Sequence, residues 1–154
     1  LAAQIYESHR TDFDDSRTLG VITPYRSQIA LIKKEIEALG IPALNRILVD
    51  TVERFQGSER DVIIYSCCIN SYYQLKFVSN LTEENGVLID RKLNVALTRA
   101  RKQMFVTGVP KYLKSNPLYE SLLNLMEYKE VICLIFCQML VFILSLCDSL
   151  TPLC

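Results

Sequence analysis

Three short stretches gather the side chains that can handle phosphate. The first is Thr23-Pro24-Tyr25-Arg26-Ser27-Gln28, which offers hydroxyl, guanidinium and amide groups in sequence. The second runs from Asp50 to Glu59 and includes Thr51, Glu53, Arg54, Gln56 and Gly57. It sets hydroxyl, amide, carboxylate and glycine in one tight bend. Gly57 lets backbone come close to a ligand, and Glu59 holds a carboxylate at the mouth of the next segment. The third is residues 91–102 (RKLNVALTRARK). From Arg91 to Lys114 there are seven basic residues and no acidic one. An arginine projected from a packed helix meets a phosphate with a fixed fork of donors. Each stretch also has a plainer reading. Thr51 caps a turn, Gly57 relieves backbone strain, Glu59 pairs with Arg60 or a lysine, Tyr25 is core, and the basic run is a solvated face.

The elements that must position these groups read as alternating strands and helices. Residues 18–23 (TLGVIT) are apolar and β-branched, a strand that Pro24 ends. Residues 24–39 place Ile29, Leu31, Ile32, Ile36 and Leu39 at helical spacing, and Gly40 follows as a stop. Residues 47–52 and 61–68 read as two more strands, the latter nearly all apolar, as when both faces are covered. Residues 69–90 form a longer polar excursion with an Asn85-Gly86 turn. Residues 91–101 suit a helix, with Arg91, Val95 and Arg99 on one face and Leu93, Ala96, Leu97 and Ala100 packing. Residues 104–108 are a fourth strand, and 119–126 begin another helix after Pro117. This order predicts an α/β sandwich with a mostly parallel sheet. In such sheets, function gathers in loops at the carboxyl ends of the strands.

Composition narrows the classes. The chain has 154 residues, half of them hydrophobic and 22% charged, enough for one domain with a real core. Seventeen basic residues balance seventeen acidic ones, which excludes a binder that works through bulk charge. His9 is the single histidine, which excludes a site with two histidine ligands in this chain. Cys67, Cys68, Cys133, Cys137, Cys147 and Cys154 lack a second pair at zinc spacing and read as free thiols in a reducing, intracellular compartment. Residues 1–17 read as a cut edge inside a longer protein, followed by an acidic linker, and the lobe proper as 18–130. All lysines and arginines lie at or before Lys129. The tail, 131–154, is apolar and cysteine-rich. We rank an appended tail first, a membrane span second and a core helix third, and expect no membrane partner.

Together and in order, the three stretches resemble the second RecA-like lobe of superfamily 1 helicases. The nearest branch is the 5′-to-3′ group of the nonsense-mediated-decay helicases, senataxin and the replication nuclease-helicase. GVITPYRSQ (20–28) looks like motif IV, VDTVERFQGSERDVIIYS (49–66) like motif V, and RKLNVALTRAR (91–101) like motif VI. The likeness covers about residues 18–126 and implies a RecA-like three-layer sandwich. It implies that Arg99 is the arginine finger that reaches the γ-phosphate of ATP on the other lobe. It further implies that Gln56, Gly57 and Glu59, with Tyr25, Arg26 and Gln28, lie against the nucleotide, and that Thr51 and Thr98 touch nucleic acid. Departures are Glu53, where aspartate is common, and the excursion 69–90, whose length varies in the family. Residues after Glu130 match nothing in it.

No G-x-x-x-x-G-K-[ST] loop and no acidic magnesium motif occur in the sequence. In the family both belong to the first lobe. The expectation is half an ATP cleft, with ATP and Mg2+ held mainly by a first lobe of the same parent chain, and no hydrolysis by this chain alone. The expected partner is single-stranded DNA or RNA. The alternative is a non-catalytic α/β module that binds a partner or nucleic acid without turnover.

Overall fold

The computed structural model describes residues 1–126 and, beyond them, the backbone of 127–128, 134–136 and 139–145. Its elements are α1 (Ala2–Ser8), β1 (Leu19–Ile22), α2 (Arg26–Ala38), β2 (Leu48–Asp50), β3 (Arg60–Ser66), α3 (Tyr72–Val78), β4 (Leu81–Glu84), β5 (Val87–Asp90), α4 (Arg91–Leu97), β6 (Ala100–Gly108), α5 (Pro110–Leu113), α6 (Pro117–Tyr128), β7 (Leu134–Phe136) and β8 (Met139–Ser145). β2, β1, β3 and β6 lie side by side in that order and all run parallel. The expected parallel α/β sandwich is the fold.

Alternation along the strands feeds two cores. On β3, Val62 and Ile64 face one layer, with Leu19, Val21, Val49 and Phe105 from the neighbouring strands and Ile36 of α2. Ile63 and Tyr65 face the other, with Ile22, Met104 and Val106 and the buried sides of α3, α4, α5 and α6. That is why residues 62–65 of β3 run without a polar alternate position. Gly20 interrupts β1 for a reason of packing. A Cβ there would come within 3.0 Å of the Phe55 ring and of the Arg60 stem. The absent side chain lets Phe55, itself fully buried, lie across the sheet.

Several boundaries differ from the sequence reading. The excursion is not loop throughout: it holds α3 and the β4–β5 hairpin. Asn85 and Gly86 form its turn, with φ of 53° and 77°, as a two-residue hairpin demands. α3 escapes periodicity analysis because it has only seven residues and buries only Leu75 and Val78. α4 stops at Leu97, and Ala100 and Arg101 already belong to β6. Arg99 therefore stands in the turn beyond the helix, not on its face, and Ala100 reaches the core from a strand. The reason is the ladder: Arg60 N–H donates to the Arg99 carbonyl at 2.9 Å, which draws the chain into the sheet early. In the tail, the described backbone is strand rather than helix. β8 pairs antiparallel with β6, and β7 with β8, so the open edge of β6 is covered. Among the described residues no helix is long and apolar enough to cross a membrane.

Candidate functional site

Because the four strands are parallel, their carboxyl ends make one rim and their amino ends another. β3 has seven residues. At roughly 3.3 Å each, the rims lie about 20 Å apart. Residues 51–59 must cross that distance to join β2 to β3. They do so as a helical turn, with Val52 and Phe55 buried beneath it. Gly57 ends the turn at φ 84°, a conformation costly for any residue with a Cβ. No atom lies within 4 Å of where its Cβ would be, so the space beside Gly57 is open.

The carboxyl rim carries Thr23–Gln28 and Thr51. Pro24, Arg26, Thr51, Glu53 and Arg54 line a cavity of about 450 Å³. Arg26 and Arg54 are exposed, with no ion pair among the described residues. Thr51 is nearly buried, and its hydroxyl bonds to Glu53. Burial raises the Glu53 carboxyl. Its own backbone N–H, the Thr51 hydroxyl and Lys92 outweigh that and hold it below the usual range. Lys92 Nζ sits 3.4 Å from Glu53 Oε1 and donates to the Phe77 carbonyl at 3.1 Å. The Tyr25 hydroxyl donates to the Gln74 carbonyl at 3.1 Å and pins α3 to the start of α2. Gln28 borders a separate hollow with Cys68, Asn70 and Gly108.

The amino rim carries Glu59, Thr98 and Arg99, and Gln56 and Gly57 lie on the connection that leads to Glu59. Glu59 accepts from Arg101 Nε at 3.0 Å, so its partner is Arg101 rather than Arg60 or a lysine. Arg99 Nε donates to the Val95 carbonyl at 3.2 Å, where a cation suits the end of α4. Its Nη2 donates to the Thr98 hydroxyl at 3.1 Å. That hydroxyl lies 3.0 Å from both the Asn94 and Val95 carbonyls. Arg99 thus has its fork steered by the helix end and pairs with no carboxylate among the described residues. Of the six residues expected at the nucleotide, Glu59 joins Arg99 here, with Gln56 and Gly57 on the connection that leads to it. Tyr25, Arg26 and Gln28 lie at the other rim. The two threonines expected at nucleic acid are divided as well, Thr51 at the carboxyl rim and Thr98 at the amino rim.

A family model described as an AAA domain matches residues 1–111. The chain belongs to the AAA domain family. This AAA-domain lobe is 40% identical over 121 residues to a regulator of nonsense transcripts 1 homolog of Arabidopsis thaliana, covering 76% of the chain and 9% of that protein. It is 37% identical over 115 residues to helicase sen1 of Schizosaccharomyces pombe, covering 73% and 6%. It is 34% identical over 121 residues to the probable helicase MAGATAMA 3 of Arabidopsis thaliana, covering 77% and 14%. These matches bear out the resemblance to a C-terminal superfamily 1 helicase lobe of the nonsense-mediated-decay and senataxin group. The chain spans 6% to 14% of the length of these relatives.

Three functional supports of the AAA-domain lobe escape the sequence reading. Asp90 is fully buried and caps α4. Its Oδ1 accepts from the N–H groups of Asn80, Lys92 and Leu93. An aspartate just before a helical run is a readable cap signal. Arg101 was visible only as one charge in a basic run, and Gly20 only as a strand residue. Cys67 and Cys68 are free thiols, and burial pushes the Cys67 thiol far up. The other four cysteines lie outside the described residues. Among the described residues, no group of three or more His, Cys, Asp or Glu could hold a metal ion.

Proposed function

We propose that this lobe is the C-terminal half of an ATP-driven helicase or translocase that acts on single-stranded DNA or RNA. The observation that carries the reading is the meeting of the 51–59 connection with the end of α4 at the amino rim, where Arg60 N–H bonds the Arg99 carbonyl and Arg101 bonds Glu59. Arg99 presents guanidinium donors unclaimed by any carboxylate among the described residues, and open space borders Gly57 in the connection that leads to Glu59. Those features suit a polyphosphate bound edge-on. ATP supplies the phosphoryl group, with Mg2+ and the phosphate loop contributed by a first lobe of the parent chain.

The roles follow from the chemistry. Thr98 and the end of α4 orient the Arg99 fork. Arg99 stabilises charge on the γ-phosphate as it transfers to water. Backbone at Gly57 approaches the nucleotide, and Glu59 receives a hydroxyl or metal-bound water when Arg101 shifts. Closure on the first lobe engages Arg99, and product release reopens the cleft. Arg26 and Arg54 hold backbone phosphates in the carboxyl-rim groove, and Thr51 offers them its hydroxyl. α4 joins the two rims, since Lys92 touches the groove and Thr98 holds Arg99. The free thiols suit a reducing intracellular compartment.

In the full-length parent, Arg99→Ala lowers nucleic-acid-stimulated ATPase by about 10³-fold or more while strand affinity stays within a few-fold. Steady-state turnover and strand binding measured side by side check this. Near-normal turnover in the variant would falsify the finger assignment.

A further inference from the structure

We propose that the outer face of α3 is a stacking platform for the bases of a single strand that leaves the carboxyl-rim groove. The inference rests on the groove being a nucleic-acid track. α3 turns Leu75 and Val78 inward and leaves Tyr72, Tyr73 and Phe77 outside, 53%, 68% and 53% exposed. Three large rings side by side on one short helix are far from the usual scatter of single exposed apolar residues. They are ordered among themselves. Tyr73 and Phe77 stand edge to face with centroids 5.1 Å apart, and Tyr72 meets Tyr112 of α5 in the same way at 5.1 Å. Lys111 Nζ lies 5.8 Å from the Tyr112 ring centre.

Charge decides what kind of partner fits. No acidic residue occurs from Val62 to Thr82 or from Arg91 to Tyr119. Lys76 and Lys111 therefore flank the rings with no acidic residue on their own helices. Flat rings bordered by cations match bases joined by phosphates, because every base has a face to stack and every linkage an anion. An acid-free patch of rings is also continuous with the groove. Lys92 contacts both Glu53 of the groove and the Phe77 carbonyl. Tyr25, the residue before groove-lining Arg26, bonds to the Gln74 carbonyl between Tyr73 and Phe77. A strand with its phosphates at Arg26 and Arg54 meets α3 next.

The test uses the full-length parent, an oligothymidylate and an abasic strand of equal length, with affinity read by fluorescence anisotropy across salt. Tyr73→Ala with Phe77→Ala weakens oligothymidylate about tenfold per stacked base lost, leaves the abasic strand unchanged, and leaves the salt slope unchanged. Tyr73→Phe with Phe77→Tyr keeps the rings and keeps the affinity. Arg26→Ala with Arg54→Ala instead lowers the salt slope by about one for each contact. Normal oligothymidylate binding by the double alanine variant overturns the platform. If the arginine pair still weakens binding in that case, the groove reading stands and α3 is a protein contact. If neither variant weakens it, both readings fall.

Discussion

The two rims of the sheet are built from different materials. The amino rim is held by ion pairs with exposed cations: Glu59 with Arg101, and the buried carboxylate of Asp61 with Lys102 at 3.0 Å, beside the half-buried Arg99 on the end of α4. The carboxyl rim is held by buried hydroxyls and a buried carboxylate. Tyr65, Tyr119 and Asp90 are all fully buried there; the Tyr65 and Tyr119 hydroxyls lie 3.0 Å apart, and Asp90 Oδ1 accepts from three backbone N–H groups. Exposed pairs rearrange at little cost, which under the proposed function lets Arg101 release Glu59 to a ligand. Buried polar contacts are costly to break, which suits a rim whose loops must keep one shape. α4 connects the two, capped at the carboxyl rim by Asp90 and finished at the amino rim by Thr98 and Arg99.

Alkali attacks the carboxyl rim first and gives the largest effect on stability. Burial raises the Tyr65 and Tyr119 phenols well above their ordinary 10.0, with Cys67 adding to Tyr65 and Tyr65 to Tyr119. Below pH 10 their stability contribution is complete. Above it the unfolded chain loses phenol protons that the folded chain keeps, so stability falls by roughly one kcal/mol per pH unit for each tyrosine. Urea unfolding between pH 9 and 12 reads this slope. Tyr65→Phe with Tyr119→Phe removes the part that sets in above pH 10, at little cost at pH 7 because both partners of the bond go together. It leaves the part due to the buried Cys67 thiol, whose ordinary value is 9.0. A slope unchanged in that variant would count against the buried pair as its source.

Asp90→Ala comes next. It strips one buried acceptor from three backbone N–H groups and the cap from α4, and lowers stability by about 3 kcal/mol. Hydrogen exchange in α4 rises at both ends, because the helix is one unit. Protection lost only near residue 90 would show the rims to be independent.

Gly57→Ala costs about 1 kcal/mol, since the strain is conformational and the space is open. Gly57→Asn costs less, because asparagine tolerates this backbone. Equal losses for both in thermal melts would point to a steric origin instead. Smallest of all, Glu59→Gln changes stability by under about 0.5 kcal/mol, and the difference disappears in 1 M salt. A larger, salt-independent loss would mean that the amino rim is as fixed as the carboxyl rim.

Much of the site was readable from local pattern. TPYRSQ, the 50–59 bend and LTRAR stand out as candidate stretches by local pattern, and Asn85-Gly86 names its turn. The excursion 69–90 was not readable, because α3 is shorter than two periods of a useful pattern and β4 is mostly polar. The end of α4 was misread for a different reason. Residues 91–101 have good helical character throughout, and a ladder with β3 overrides it from Ala100 onward.

Residue types and spacing alone determined the class of fold and the family likeness, because apolar period, turn residues and motif order are properties of neighbours in the chain. Only the tertiary structure decided that the expected nucleotide residues divide between two rims, that Glu59 pairs with Arg101, that Gly20 makes room for Phe55, and that three rings of α3 stand outside beside the groove. Each of these depends on parallel strands being joined by crossings of their full length. Residues a few positions apart, such as Thr51 and Glu59, are then carried to opposite ends of the sheet. Others far apart, such as Glu59 and Arg101, are brought within a hydrogen bond.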